Sequence, residues 1–580
     1  MGAASLSEVE FNTFFQRLGK TFRGYNALSL RDDVMAGLSV GVVAVPQAMA
    51  YAIIAEVSPV YGLYTLIFQT LIGAIFNSHP LLSLGPVNSQ SLVVASIATR
   101  MASPGDASAY LTLVVTLTLM KGIFQIGMAV LRFGQLSRYV SRSAVVGFTA
   151  GAGLLIFAKQ IGPFLGFATP RGENDWPGLI GICQQVCRGA AEANPIALGI
   201  GSLALAIVVG GRLLSRRVPG PLIAVVVGAA IVATVGWTGQ DLNLLGSLPV
   251  WPETWPYPKL DFENFERMIP AGLALGLLGA IETHAIAKIL SERTDQPINS
   301  NQDLFGHGIT NALTAFLGCI PGSTSVSRSA LNESSGGKTM IANYVNAGFV
   351  ALSLVLFAGA AQHIPMAAIA GVLLFVAFGL VDFRYIRRVA KTSRGDTAVL
   401  LVTFIATLTI PLEYAVLVGV ALSLGLYLRR ATELQMQEMV PGADGVFLER
   451  ALTSASGNKA ITFVQLEGSL FFAQADEFEE QLQSLLRSKV EVVVFRLRRV
   501  HSIDATMLGV LDRFARQLSN ADRQVILCGI HNQLMGSLED FGIVKLIGAE
   551  NVFPTESAGI FASAEAALKR AAEIVKKEDD

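Results

Sequence analysis

Between Val34 and Tyr427 the chain is a succession of apolar segments, and this succession restricts the fold more than any other feature. The segments lie near 34–55, 60–76, 81–99, 109–131, 143–166, 195–214, 221–237, 269–290, 304–320, 326–336, 343–361, 366–380, 396–411 and 413–428, fourteen in all. A helix needs ~20 apolar residues to cross the hydrocarbon core of a bilayer, and several segments fall short of that. Charge is scarce. Asp, Glu, Lys and Arg make up 15% of the residues, where soluble proteins average about a quarter. An all-α polytopic membrane domain of fourteen spans is expected over 34–430.

Lys and Arg in the connections set the orientation. With residues 1–33 inside, the inner connections hold Arg132, Arg138 and Arg142, then Arg212, Arg216 and Arg217, then Arg384, Arg387, Arg388, Lys391 and Arg394. Arg429 and Arg430 follow the last span, and the outer connections after spans 1, 9, 11 and 13 hold no Lys or Arg. Arg100 starts the outer connection after span 3. Both ends are therefore placed in the cytosol, and the domain in a cell membrane, inner or plasma. Residues 1–33, polar and with Lys20, Arg23 and Arg31, show no cleavable signal and read as a cytosolic N-terminal segment.

Other classes find little support. A net charge of −1 and the lack of a basic arm or zinc-ligand pattern speak against nucleic acid and metal, and no cofactor motif is present. Four cysteines in 580 residues are no disulfide framework. Cys183 and Cys187 lie in an expected outer loop, as free thiols or as a pair; Cys528 reads as packing. "NESSGGKT" (332–339) has Asn332 where a phosphate-binding loop wants Gly, and no strand–helix unit surrounds it. His501 and Asp504 are neighbours without a nucleophile or metal set, so no enzyme is expected.

From about Lys459 the pattern changes. "ITFVQLE", "VEVVVFRL" and "RQVILCGI" read as strands, with helical patterns at 474–488, 505–518, 531–540 and 561–577. Alternating strands and helices imply a small soluble α/β domain over 459–580, joined through a linker at 431–458.

Spans 3 and 10 share a peculiarity. One begins "LGPVNSQSL" (84–92), the other "PGSTSVSRSAL" (321–331). Pro and Gly break the preceding backbone, and Ser, Thr and Asn suit a helix N-terminus. Each break is the third span of a seven-span half, which points to an inverted repeat with a site near the midplane. Helix N-termini carry unpaired N–H donors and a positive end, so two facing one cavity make an anion site. Arg328 adds a full charge and a fork of donors suited to oxyanions. The alternative is an arginine in a cytosolic loop that snorkels from the interface.

These stretches resemble the SulP sulfate-permease family, which includes the sulfate–anion solute carriers of animals. "GLSVGVVAVPQAMAYAIIAEVSPVYGLYT" (37–65) is similar to that family's opening signature, "GPVNSQSL" to the start of its third span, and "NQDLFGHGITN" (301–311) and "SVSRSALNESSGGKT" (325–339) to the stretches before and at its tenth. The C-terminal part resembles its STAS domain. The resemblance implies fourteen spans in two inverted sevens, a core and a gate domain moving in an elevator-like way, and a homodimer. It implies an anion held between spans 3 and 10, with contacts at Gln47, Tyr51, Asn88, Ser89, Ser325, Ser327 and Arg328. Relatives that are phosphorylated in the STAS domain have Ser after an Asp; here Asp504 is followed by Ala505, then Thr506. A supporting role, or docking of a cytosolic protein partner, is expected of that domain instead.

Glu282, in "LLGAIETHAIAKIL", is a second charge within a span, where the family often has an acidic residue linked to proton or cation coupling. The expectation is secondary active transport of sulfate or a similar oxyanion, coupled through Glu282 to a proton or sodium. The alternatives are a bicarbonate, chloride or dicarboxylate exchanger or uniporter without coupling, and, remotely, a membrane-embedded sensor with STAS output. Glu282 has a second possible role as an ion-pair partner of Lys121 in span 4, and neighbouring His284 as a relay.

Overall fold

The computed structural model describes residues 25–103, 106–134, 140–167, 178–215, 218–239, 241–252, 255–259, 262–441, 447–451, 460–555 and 562–579. Lys20, Arg23, Arg138, Arg216 and Arg217 lie outside them. The chain divides into two compact units, Met1–Leu426 and Tyr427–Asp580.

Each of the fourteen apolar segments contains a helix, although in 81–99 it begins only at Asn88 and in 304–320 it ends at Ala315. In chain order the helices are α1 (Ala27–Ile54), α2 (Pro59–Phe76), α3 (Asn88–Met101), α4 (Ala107–Val130), α5 (Arg142–Leu165), α6 (Gly178–Gly189), α7 (Pro195–Leu214), α8 (Gly220–Val235), α9 (Phe262–Thr294), α10 (Ser300–Ala315), α11 (Val326–Ser334), α12 (Ile341–Phe357), α13 (Met366–Gly379), α14 (Phe383–Thr392), α15 (Arg394–Thr409) and α16 (Leu412–Ala431). Two of these lie outside the expected segments. Helix α6 carries Cys183 and Cys187, both free, in a region expected to be loop. Helix α14 is a short basic helix between two spans. Helix α1 also starts earlier than expected, because Asn26 caps it by accepting from the Ser29 N–H at 2.8 Å; the polar N-terminal segment therefore gives way to helix before residue 33.

Among the described residues, eight helices are long and apolar enough to cross a membrane. Helices α3 and α11, with 14 and 9 residues, are not. At about 1.5 Å per residue neither bridges a ~30 Å core. Each is preceded by a three-residue strand, β1 (Leu84–Pro86) or β2 (Gly322–Thr324), and the two strands pair antiparallel, Gly85 opposite Ser323. Irregular backbone at this depth needs its polar groups satisfied by protein. Thr70 Oγ1 donates to the Leu84 carbonyl at 2.7 Å, Ser325 N to that of Ser83 at 3.0 Å, and Gln69 Nε2 to that of Ile320 at 3.1 Å. Asn311 Oδ1 accepts from Gly322 N at 3.1 Å.

Helices α1–α4 and α9–α12 pack chiefly among themselves, as do α5, α7, α8, α13 and α15. In the first group, α4 and α10 touch through Gly122 and Gly308, where an added Cβ would lie 2.6 Å from Ala312 N and 2.7 Å from Ile126 Cγ1. The "GGKT" run is a turn between α11 and α12. Its Lys338 and Thr339 N–H groups donate to the fully buried Asp33 carboxylate at 2.7 and 3.0 Å. That carboxylate occupies the donors a phosphate would take in a nucleotide-binding loop, and it ties the turn to α1.

The second unit is a six-stranded sheet in the order β4-β3-β5-β6-β7-β8. Its strands are β3 (Gln435–Pro441), β4 (Phe447–Ala451), β5 (Ile461–Leu470), β6 (Val492–Ile503), β7 (Gln524–Ile530) and β8 (Val552–Pro554). Strands β5 to β8 are parallel, and β3 and β4 add antiparallel. This corrects the expected linker at 431–458: Gln435–Pro441 pairs with β5 and closes what would be an open sheet edge. Helices at Ala475–Leu486, Ala505–Ser519 and Asn532–Asp540 cover one face, and Ala562–Asp579 covers the other. Strand β6 is thus buried on both sides, which explains the unbroken apolar run of "VVVF". Cys528 is packed in that core, and burial pushes its thiol up to about 12. Asp504 accepts from Met507 N at 2.9 Å and Phe472 N at 2.6 Å, so it caps a helix and ties down a loop.

A Cβ on Gly322 would lie 1.7 Å from Gln69 Oε1 and 2.7 Å from the Gly85 carbonyl of the paired strand. Gly322→Ala should therefore cost about 1–3 kcal/mol through overpacking and lower the melting temperature by several degrees in detergent. Gly348→Ala, with nothing within 4 Å of the added methyl, should leave it unchanged or raise it. Equal effects of the two would mean that the strand pair is not the tight point of the fold.

Candidate functional site

The β1–β2 pair sets two helix N-termini against each other. Because the strands are antiparallel, α3 leaves from one end of the pair and α11 from the other, in opposite directions. The residue before α3 is Val87, whose side chain cannot cap, whereas Ser325 caps α11 by accepting from Arg328 N at 3.4 Å. In the first turn of α3 only the Ser89 N–H is taken, by Asn88 Oδ1 among the described residues, and the helix keeps its positive end.

Arg328 reaches back from α11 across this junction. It is fully buried, and its Nη1 donates to the Pro86 carbonyl at 3.0 Å. No carboxylate pairs with it among the described residues, and its Nε and Nη2 are buried without a partner. A buried charge in that condition costs several kcal/mol unless a partner offsets it. Gly85 makes room for it: a Cβ there would sit 3.0 Å from Nη2. Tyr51 of α1 is buried. Gln47 lies one residue beyond Pro46, which interrupts the α1 ladder, and its Oε1 is buried and unpartnered. Asn88 opens α3, its Oδ1 accepting from Ser89 N at 2.8 Å. Ser325 and Ser327 hydroxyls bond each other at 3.2 Å, and Ser327 is exposed.

The structure brings Arg328 to the β1–α3 junction and Ser89 to Glu282, for the Ser89 hydroxyl donates to Glu282 Oε1. Among the described residues Lys121 and Glu282 form no direct ion pair. Gln90 stands between them: Lys121 Nζ donates to its Oε1 at 3.2 Å, and its Nε2 donates to Glu282 Oε2 at 3.4 Å. Lys121 Nζ also donates to the Gly322 carbonyl. Gln90 belongs to this site and was missed, although it lies inside the "GPVNSQSL" run. His284 bonds Ser300 at 2.6 Å, while His307 on α10 bonds Thr283, Thr324 and Asn77.

A separate cavity of about 480 Å³ opens between α1 and α3 on one side and α5, α6 and α15 on the other, lined in part by Glu56, Leu92, Arg100 and Lys159. It reaches Leu92, about one turn beyond Asn88. Two ion pairs cross between the helix groups beside it, Arg100–Glu413 and Lys159–Glu56.

Residues 30–403 match the family model described as the sulfate permease family, and 453–559 match the STAS domain. YvdB of Bacillus subtilis (strain 168) is 26% identical over 549 residues, covering 93% of this chain and 98% of that protein. Sulfate transporter 4.1, chloroplastic, of Arabidopsis thaliana is 27% identical, covering 90% and 78%. The murine solute carrier 26 family member A9 anion transporter, solved in an inward-facing state, superposes with a TM-score of 0.86 at 19% identity, covering 99% of this chain and 96% of that one. That likeness concerns the fold.

Arg328→Met removes a buried charge that lacks a carboxylate partner. Replacing buried charge by a packed apolar chain is often neutral or stabilising. In buffer free of small oxyanions this variant should melt no lower than wild type; a drop of several degrees would make the guanidinium a structural tie to Pro86 instead.

Proposed function

The chain belongs to the sulfate permease family, and we propose that it is a secondary active transporter of an inorganic anion, sulfate or a similar oxyanion. The observation that carries the reading is Arg328, fully buried beside the uncapped start of α3 with two guanidinium nitrogens unpartnered. Planar forked donors suit oxyanions, and a helix N-terminus adds positive potential. The anion's contacts are Arg328, the first turn of α3 with Asn88 and Ser89, Ser325 and Ser327 of α11, and Gln47 and Tyr51 of α1. The named sulfate transporter among its relatives supports the choice of anion.

Import of a dianion against a negative-inside potential costs ~2.3 kcal/mol per charge per 100 mV. A coupling cation offsets that. Glu282 is the carboxylate for it, taking a proton or another cation, and the Ser89 hydroxyl links it to the anion site. The helix group around β1–β2 is the moving core, and the other group is the gate. Both termini are cytosolic, in a cell membrane, with the chain working as a homodimer. The STAS domain, lacking a hydroxyl at Ala505, serves support or docking of a cytosolic partner.

In proteoliposomes, sulfate uptake should rise as the outer pH falls and should alkalinise the outside. Glu282→Gln should abolish the pH dependence. Arg328→Ala should weaken sulfate affinity at least tenfold, and Arg328→Lys less. A panel of sulfate, bicarbonate, chloride and fumarate identifies the anion. Wild-type affinity in both arginine variants refutes the site, and unchanged proton flux in Glu282→Gln refutes the coupling role.

A further inference from the structure

We infer that Lys121 is a tethered cation, its ammonium filling the place that a sodium ion would take, so that the coupling ion is the proton. The inference rests on the transporter reading above and narrows its coupling ion.

Lys121 lies in the middle of α4 and is fully buried. A lysine at such depth is expensive unless oxygens receive it. Two do: the Gly322 carbonyl, in backbone that is not helical, and Gln90 Oε1 at 3.2 Å. Unwound backbone carbonyls of broken helices are what transporters offer a sodium ion. Here the Gly322 carbonyl is already taken by Nζ and by Asn311 Nδ2 at 3.2 Å. The fit is close on the third side too, since a Cβ on Gly279 of α9 would come within 3.2 Å of Nζ.

The carboxylate points the same way. Glu282 receives hydrogens on both oxygens, from the Ser89 hydroxyl and from Gln90 Nε2. Each carboxylate oxygen keeps one lone pair free, but a metal ion needs several oxygen ligands at once, and the neighbouring Gly322 carbonyl and Gln90 Oε1 already receive the ammonium. A proton needs one oxygen and no shell. His307 of α10 has its ring engaged by Thr283, Thr324 and Asn77. It supplies no further anionic ligand.

The test uses the full chain in nanodiscs and proteoliposomes, with sodium exchanged for potassium or N-methylglucamine at constant ionic strength. Wild type should show no sodium-specific thermal stabilisation, and its uptake should follow the pH gradient alone. Lys121→Ala empties the position. It should lose at least tenfold in uptake without sodium, regain part of it with sodium, and be stabilised by sodium but not by potassium. Sodium-specific stabilisation of wild type, which needs no variant to fold, overturns the inference; so does a folded Lys121→Ala protein with no sodium response. Failure of the wild type to take up any anion refutes the transporter reading instead, and the thermal measurement still decides the role of Lys121.

Discussion

The antiparallel pairing of two three-residue strands, Leu84–Pro86 with Gly322–Thr324, is the contact on which the rest depends. Two short helices cannot cross a bilayer alone, and their broken leads carry backbone groups that lipid would leave unsatisfied. Pairing the leads satisfies both at once and fixes where the helices begin. It also turns their starts to a common point and brings Arg328 within reach of the Pro86 carbonyl. The supporting polar side chains, Gln69, Thr70 and Asn311, come from helices that flank the pair. They are preorganised by secondary structure, as a selective site requires.

Around that pair stand three charges with different settings. Among the described residues Arg328 has no carboxylate partner, Glu282 is held by two donors, and Lys121 is held by two oxygens. The amide of Gln90 joins the last two and keeps them from collapsing into a plain ion pair. Ser89 and Gln90 are consecutive residues of α3, so the helix whose N-terminus is proposed to meet the anion also carries these two contacts to the carboxylate.

Much of this was legible in the sequence. Each of the fourteen apolar segments holds a helix, because a run of apolar residues in a bilayer satisfies its backbone most simply that way. The breaks at "GPVN" and "PGST" were visible because Pro and Gly have local conformational effects. The strand pairing was not, since Gly85 meets Ser323 only in the folded chain. The same holds for Lys121 and Gly322, which lie 201 residues apart. Strand β3 was taken for linker because a seven-residue edge strand with Gln, Glu and Met carries little apolar alternation. Asp33 showed no sign of its part in filling the "GGKT" turn, for nothing in its neighbourhood marks a buried carboxylate.

The most direct measurement is anomalous scattering from the protein bound to selenate, a heavier analogue of sulfate. The account predicts one peak within hydrogen-bonding distance of the Arg328 guanidinium and the first-turn N–H groups of α3. A peak lying instead in the cavity beside Arg100 and Lys159, with the surroundings of Arg328 unoccupied at saturating selenate, would contradict it.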